Sequence, residues 1–167
     1  MATGIKVFAP ASVANLACGY DILGLALERP GDEIIIRKTD GKGLKINKIF
    51  GADRKLPTDI HKNTAGLAAY ALLKSVDRIG EGIEMDIYKK MPSGSGLGSS
   101  AASAAAAVWG INALLDLRLT KRELLHFAVL GEQAADGSYH ADNVAPSLMG
   151  GIIFIRDNES LDIHKLP

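Results

Sequence analysis

Apolar and polar positions alternate most clearly along Ile83-Glu84-Met85-Asp86-Ile87-Tyr88, a pattern that predicts a half-buried strand. Behind it the alternation stops. Met91-Pro92-Ser93-Gly94-Ser95-Gly96-Leu97-Gly98-Ser99-Ser100-Ala101-Ala102 places three glycines at alternate positions among four serines, then enters an alanine-rich helical run from Ala101 to Leu117. Upstream, Ile5-Lys6-Val7-Phe8-Ala9 reads as a short strand halted by Pro10, and Pro10–Leu27 has no clean period. Glu33 to Lys38 is β-rich. Asp40-Gly41-Lys42-Gly43 is a hairpin signal, with Leu44-Lys45-Ile46-Asn47-Lys48-Ile49 as the returning strand. Asn63 is an N-cap candidate for a helix to about Val76, with Leu67, Tyr70, Leu72 or Leu73, and Val76 on its apolar face. Gly80 and Gly82 close that helix. Thr120-Lys121-Arg122-Glu123 matches a capping box and opens a helix to about Ala135. A last strand covers Ile152–Ile155.

The strand–glycine loop–helix order around residues 83–117 carries the first chemical signal. The first turn of a helix has N–H groups with no internal partner and the positive end of the dipole. Glycines let more N–H groups turn inward without a Cβ blocking an approaching oxyanion. The stretch therefore reads as a phosphate cradle. A Walker A loop is excluded, because no lysine follows Gly98. Gly96-Leu97-Gly98-Ser99-Ser100-Ala101 fits the dinucleotide pattern G-x-G-x-x-A, but no acidic residue ends a second strand about 20 residues on. Gly98-Ser99-Ser100-Ala101-Ala102 is also a small-residue relative of a nucleophile elbow, with Ser100 as nucleophile. A purely structural glycine turn is the remaining alternative.

Composition narrows the partners. In 167 residues, 19 basic and 19 acidic side chains cancel, so neither nucleic acid nor an anionic membrane is favoured. The apolar run around Ala101–Leu115 is interrupted by Ser103, Gly110 and Asn112 and reads as a buried helix, not a membrane span. Cys18 stands alone, so no internal disulfide is expected; it suits a reducing cytoplasm, and no signal peptide is recognised.

Further polar residues fall in apolar settings. Counting the inner face of the helix after Thr120 gives Leu124, Leu125, Ala128 and Ala135, with Glu132 between the last two. A carboxylate there reaches solvent at a helix end or holds a cation, and Mg²⁺ prefers one or two carboxylates plus phosphate oxygens. Asn15 and Asp21 lie among small and apolar residues, as a turn former or as a clamp for an ammonium or hydroxyl. Gly137-Ser138-Tyr139-His140-Ala141-Asp142-Asn143-Val144-Ala145-Pro146 crowds polar side chains into a loop before a strand, which suits a site. One His and one Asp without a nearby Cys are too few for zinc, and the order His140 before Asp142 does not suit a hydrolase triad with Ser100.

Taken together, these stretches resemble the GHMP small-molecule kinases. Pro92-Ser93-Gly94-Ser95-Gly96-Leu97-Gly98-Ser99-Ser100-Ala101-Ala102 is similar to their signature P-x-x-x-G-L-G-S-S-A-A at every fixed position. Pro10-Ala11-Ser12 through Leu27 and His140-Ala141-Asp142-Asn143-Val144-Ala145-Pro146 are similar to two motifs of the homoserine kinase branch. Departures are Val13 for a second serine and Ala17-Cys18 before Gly19.

The resemblance implies an α/β (α+β) fold: a two-layer domain of the ribosomal-S5 second-domain type, with a left-handed βαβ crossover. Residues 1–167 would form the N-terminal nucleotide-binding domain, without the ferredoxin-like C-terminal domain. The implied activity is O-phosphorylation of L-homoserine by ATP and Mg²⁺, a step toward threonine. Pro92, Ser93, Gly94, Ser95, Gly96, Leu97, Gly98, Ser99, Ser100, Ala101 and Ala102, with Asn63, would hold ATP. Lys89 and Lys90 would lie near the nucleoside. Ser99, with Ser100 as neighbouring candidate, and Glu132 would hold Mg²⁺. Asn15, Asp21, His140 and Asn143 would line the homoserine pocket. Asn143, Asp142 and Glu132 would be the catalytic set, with Asn143 orienting the hydroxyl and Asp142 not obligatory as a base. The partners expected are L-homoserine and ATP, and a homodimer or a complementing C-terminal domain. The 167-residue chain alone is expected to bind nucleotide weakly and turn over slowly.

Overall fold

In the computed structural model, which describes residues 4–92, 94–137 and 139–167, one 20-residue strand runs through the whole sheet: β2 (Leu23–Lys42). Strand β1 (Gly4–Ala14) lies antiparallel along it, pairing Gly4–Pro10 with Gly31–Arg37 and Ser12–Ala14 with Gly24–Ala26. The register breaks between Pro10 and Ser12, where Leu27–Pro30 bow out of β2. Pro10 therefore sits inside β1 and does not end it. The described residues give β1 no other strand neighbour, and an edge strand tolerates the missing N–H.

The expected hairpin after residue 40 is absent. The chain turns at Gly43, but β3 (Leu44–Phe50) does not pair with β2; it pairs in parallel with β4 (Glu81–Tyr88). Strand β4 enters between them, antiparallel to β2. The parallel pair is joined by the helix α1 (Thr64–Ser75), the crossover that a parallel pair requires. On the far half of β2, β5 (Ile152–Asp157) pairs with Leu23–Leu25, and β6 (Asp162–Lys165) completes the sheet order β3-β4-β2-β5-β6.

The helical layer covers one sheet face. Its centre is α2 (Ser99–Leu114), buried from Ala101 through Val108. Its alanines and Gly110 allow that depth: a Cβ on Gly110 would overlap Ile36 Cδ1. On either side stand α1 and α3 (Lys121–Asp136), followed by the short α4 (Val144–Met149). Ile34, Ile36, Ile83, Met85 and Ile87 meet the helices from the sheet. Thr120 and Glu123 form the reciprocal capping box, and Asn63 caps α1. The buried face of α1 differs from expectation: Ala65, Ala68, Ala69, Leu72 and Leu73 point inward, while Leu67, Tyr70 and Val76 are half-buried. Close helix packing selects the small side chains; Gly131 of α3 leaves no room for a Cβ beside Thr64 and Ala68. In α3, Leu124, Leu125, Ala128 and Val129 are buried and Glu132 is half-buried; the side chain of Ala135 lies outside the described residues. Among the described residues, no helix is long and apolar enough to cross a membrane.

Candidate phosphate and substrate site

Strand β4 delivers the chain to the glycine loop, and the loop delivers it to α2. Gly94, Gly96 and Gly98 all have positive φ. At Gly98, the N-cap of α2, the left-handed backbone (φ 61°, ψ 34°) leaves the helix with no side-chain cap. Helices α1 and α3 instead close their first turns with Asn63 and Thr120. The first N–H groups of α2 are thus left for a ligand, with the helix dipole behind them. They open into a groove of about 610 Å³ lined by Arg54, Asn63, Lys89, Pro92, Gly94–Gly98, Ser99 and Ser100. Ala101 and Ala102 are fully buried, so they serve as helix scaffold and not as side-chain contacts. Ser95 Oγ donates to the Pro92 carbonyl at 2.8 Å, bracing the loop mouth. Ser93 lies outside the described residues.

The far end of this loop meets the second polar region. Ser12 N donates to the Leu97 carbonyl at 3.1 Å, and Ser12 Oγ donates to Asn143 Oδ1 at 2.9 Å. With its oxygen so engaged, Asn143 keeps its amide N–H groups as donors. Just upstream, His140 Nδ1 stands 3.3 Å from Asp21 Oδ1. Asn15 Oδ1 accepts from Asp21 N at 2.9 Å, so Asn15 shapes the Asp21 turn. Asn158 clamps the two segments, donating to the Asp21 carbonyl at 3.1 Å and accepting from Ala141 N at 2.9 Å. Asp142 is buried at 7% exposure. Burial pushes its carboxyl above the usual value, and the nearby Asp21 charge adds to this.

Several expected residues behave differently. Asn63 lines the groove, but its Oδ1 accepts from Ala65 N and Gly66 N while its Nδ2 donates to the Pro57 carbonyl. Its amide is spent on shaping the wall. Lys90 Nζ pairs with Glu33 at 2.9 Å and does not line the groove. Lys89 lines the groove but is turned under the loop, ion-paired with Asp32 and donating to Ser99 O and Ser103 Oγ, each at 2.7 Å. Burial pulls its ammonium below the usual value, and Asp32 opposes that shift. Sequence reasoning missed Asp32, Ser12, Ser103 and Asn158. For Asp32, an acidic residue entering the apolar run Ile34-Ile35-Ile36 was the available signal.

The residues expected to hold Mg²⁺ are Ser99 and Glu132. Among the described residues, no three or more His, Cys, Asp or Glu side chains gather as a metal cage. Glu132, half-buried on α3, acts electrostatically on Lys89 directly beneath Ser99. Ser99 lines the groove and Glu132 does not; Mg²⁺ takes one or two protein oxygens when phosphates supply the remaining ligands.

A mixed sheet carrying an uncapped, glycine-led helix start beside a polar pocket defines an α/β domain whose loop has the form of an anion cradle. The chain matches the family described as GHMP kinases N terminal domain over residues 63–151, more than half its length. It belongs to that family. It is similar to the homoserine kinases of Chlorobium phaeovibrioides (44% identical over 98% of this chain and 54% of that protein) and Methanococcus vannielii (42%, with the same two coverages). The crystal structure of homoserine kinase from Cytophaga hutchinsonii superposes with a TM-score of 0.93 at 51% identity, covering 98% of this chain and 52% of that one. The Methanococcus jannaschii mevalonate kinase shares the fold, with a TM-score of 0.76 at 17% identity, over 99% of this chain and 56% of that one. The chain spans about half the length of the relatives it matches.

Proposed function

We propose that this chain provides the nucleotide-binding part of an enzyme that transfers the γ-phosphoryl group of ATP to the hydroxyl of L-homoserine. The observation that carries this reading is the junction at Gly98. The uncapped start of α2 and Asn143 share Ser12 as a common neighbour, so a bound phosphate and an acceptor hydroxyl fall side by side. Phosphoryl transfer through a loose transition state asks mainly for positioning and charge neutralisation. The amides of residues 94–100 supply the anion contacts. Asn143 donates to the acceptor oxygen, and Asp21, backed by His140, holds the substrate ammonium. Asp142 is positioned near this pocket without being required to take the proton. Mg²⁺, held from Ser99 and Glu132, neutralises the phosphate oxygens. A cytoplasmic setting accords with the reduced Cys18, and the partners are ATP, L-homoserine and a complementing C-terminal domain or second copy.

The test is calorimetry of the chain with Mg·ADP, followed by titration of L-homoserine, mevalonate and galactose into the nucleotide complex. Homoserine alone is expected to bind, with Asp21→Asn abolishing its heat and sparing that of nucleotide. Binding of another alcohol in preference would assign the pocket to a different substrate and refute this reading.

A further inference from the structure

Beneath the glycine loop lies a buried ion pair, Asp32 with Lys89. Asp32 is fully buried at the point where β2 straightens after its bowed segment. Its Oδ1 accepts from Lys90 N at 2.7 Å. Its Oδ2 accepts from Ser99 Oγ at 2.7 Å, is paired with Lys89 Nζ, and lies 3.5 Å from Ser103 Oγ. Lys89 spends its three N–H donors on Asp32, the Ser99 carbonyl and Ser103 Oγ. Asp32 and Lys89 cancel each other's charge, so the pair adds little net field to the cradle above.

The hydroxyl of Ser99 has one proton and two lone pairs. An ionised carboxylate only accepts, so a serine oxygen 2.7 Å away must give Asp32 its proton. What Ser99 then offers the groove is an oxygen acceptor. That suits a cation and not a phosphate oxygen, which needs a donor. Ser100, exposed one residue on, has no such constraint and is free to donate.

We infer that Asp32 is a positioning residue: by taking the Ser99 proton it commits that hydroxyl to face a nucleotide-bound divalent cation, with Lys89 neutralising the buried carboxylate. The inference rests on the phosphate reading of the loop. It resembles the general arrangement in which an outer carboxylate orients a metal-ligating group, whose loss typically costs about 10- to 100-fold in metal affinity.

The experiment is calorimetry of the chain with ADP in excess Mg²⁺ and again in EDTA, and the readout is the dissociation constant in EDTA divided by that in Mg²⁺. Asp32→Asn should lower that ratio by about 10-fold or more. Ser99→Ala should lower it equally, and Asp32→Asn with Ser99→Ala together should lower it no further. If Asp32→Asn fails to fold because Lys89 is left buried with no counter-charge, Asp32→Asn/Lys89→Met removes both charges and carries the same expectation. A purely structural role would weaken both constants together and leave the ratio unchanged, which overturns the inference. So would a lost ratio in Ser99→Ala with a wild-type ratio in the Asp32 variants, although the phosphate reading would stand. No nucleotide binding by the wild-type chain in either buffer would overturn both.

Discussion

Replacing Gly98 by alanine strikes the junction between the two halves of the proposed site. Two costs add. The backbone at φ 61° is in the left-handed region, which costs an L-residue with a Cβ about 1–2 kcal/mol. The new methyl would also overlap Ser12 Oγ and lie 2.8 Å from Asn143 Oδ1. To make room, the Ser12–Asn143 hydrogen bond of 2.9 Å must open, at about 0.5–1.5 kcal/mol. The sum is about 1.5–3.5 kcal/mol. Gly96 provides the control, since its φ is 73° but nothing lies within 4 Å of its added Cβ. Gly96→Ala should therefore lose only the backbone share. Urea denaturation of the two variants should show Gly98→Ala the less stable by about 1 kcal/mol, and calorimetry should show weaker Mg·ADP binding. Equal stability for the two variants would refute the claim that Gly98 is held against Ser12 and Asn143.

Asn158→Ala removes both bonds that tie the Asp21 turn to Ala141, and should cost about 1–3 kcal/mol while speeding hydrogen exchange at the Ala141 amide; unchanged exchange there would contradict the clamp. Asp142→Asn tests the buried carboxyl. Its folded-state value is raised above the ordinary 3.8, so Asp142 favours folding most when protonated, and that contribution fades as pH rises through the raised value. The variant should thus melt higher than wild type at pH 7.5, with the gap closing toward pH 4. Under the proposed function, phosphoryl transfer should survive the same substitution, and a loss of many orders at unchanged substrate affinity would make Asp142 an obligatory base.

Local chemistry was the readable part of this chain. The caps at Asn63 and Thr120, the strand at residues 83–88 and the glycine loop each announce themselves within a few residues, because caps and turns depend on neighbours in sequence. Strand order does not. Asp40–Gly43 carries hairpin chemistry, yet β4 takes the place beside β2, since pairing there is decided by a helix layer built from residues 64–114. For Asp32 only its place ahead of the apolar run Ile34-Ile35-Ile36 was legible; its partners Lys89, Ser99 and Ser103 are 57 to 71 residues away. Asn63 and Lys90 show how a side chain at a motif position can be engaged elsewhere, one on a helix cap and the other on Glu33.

The most direct measurement is an amide NMR titration of the ¹⁵N-labelled chain with Mg·ADP. The account predicts saturable shifts concentrated at Gly94, Gly96, Leu97, Gly98, Ser99 and Ser100, with the capping box of α3 unmoved. Saturating nucleotide that leaves those six amides in place, or that moves a different surface, would contradict it.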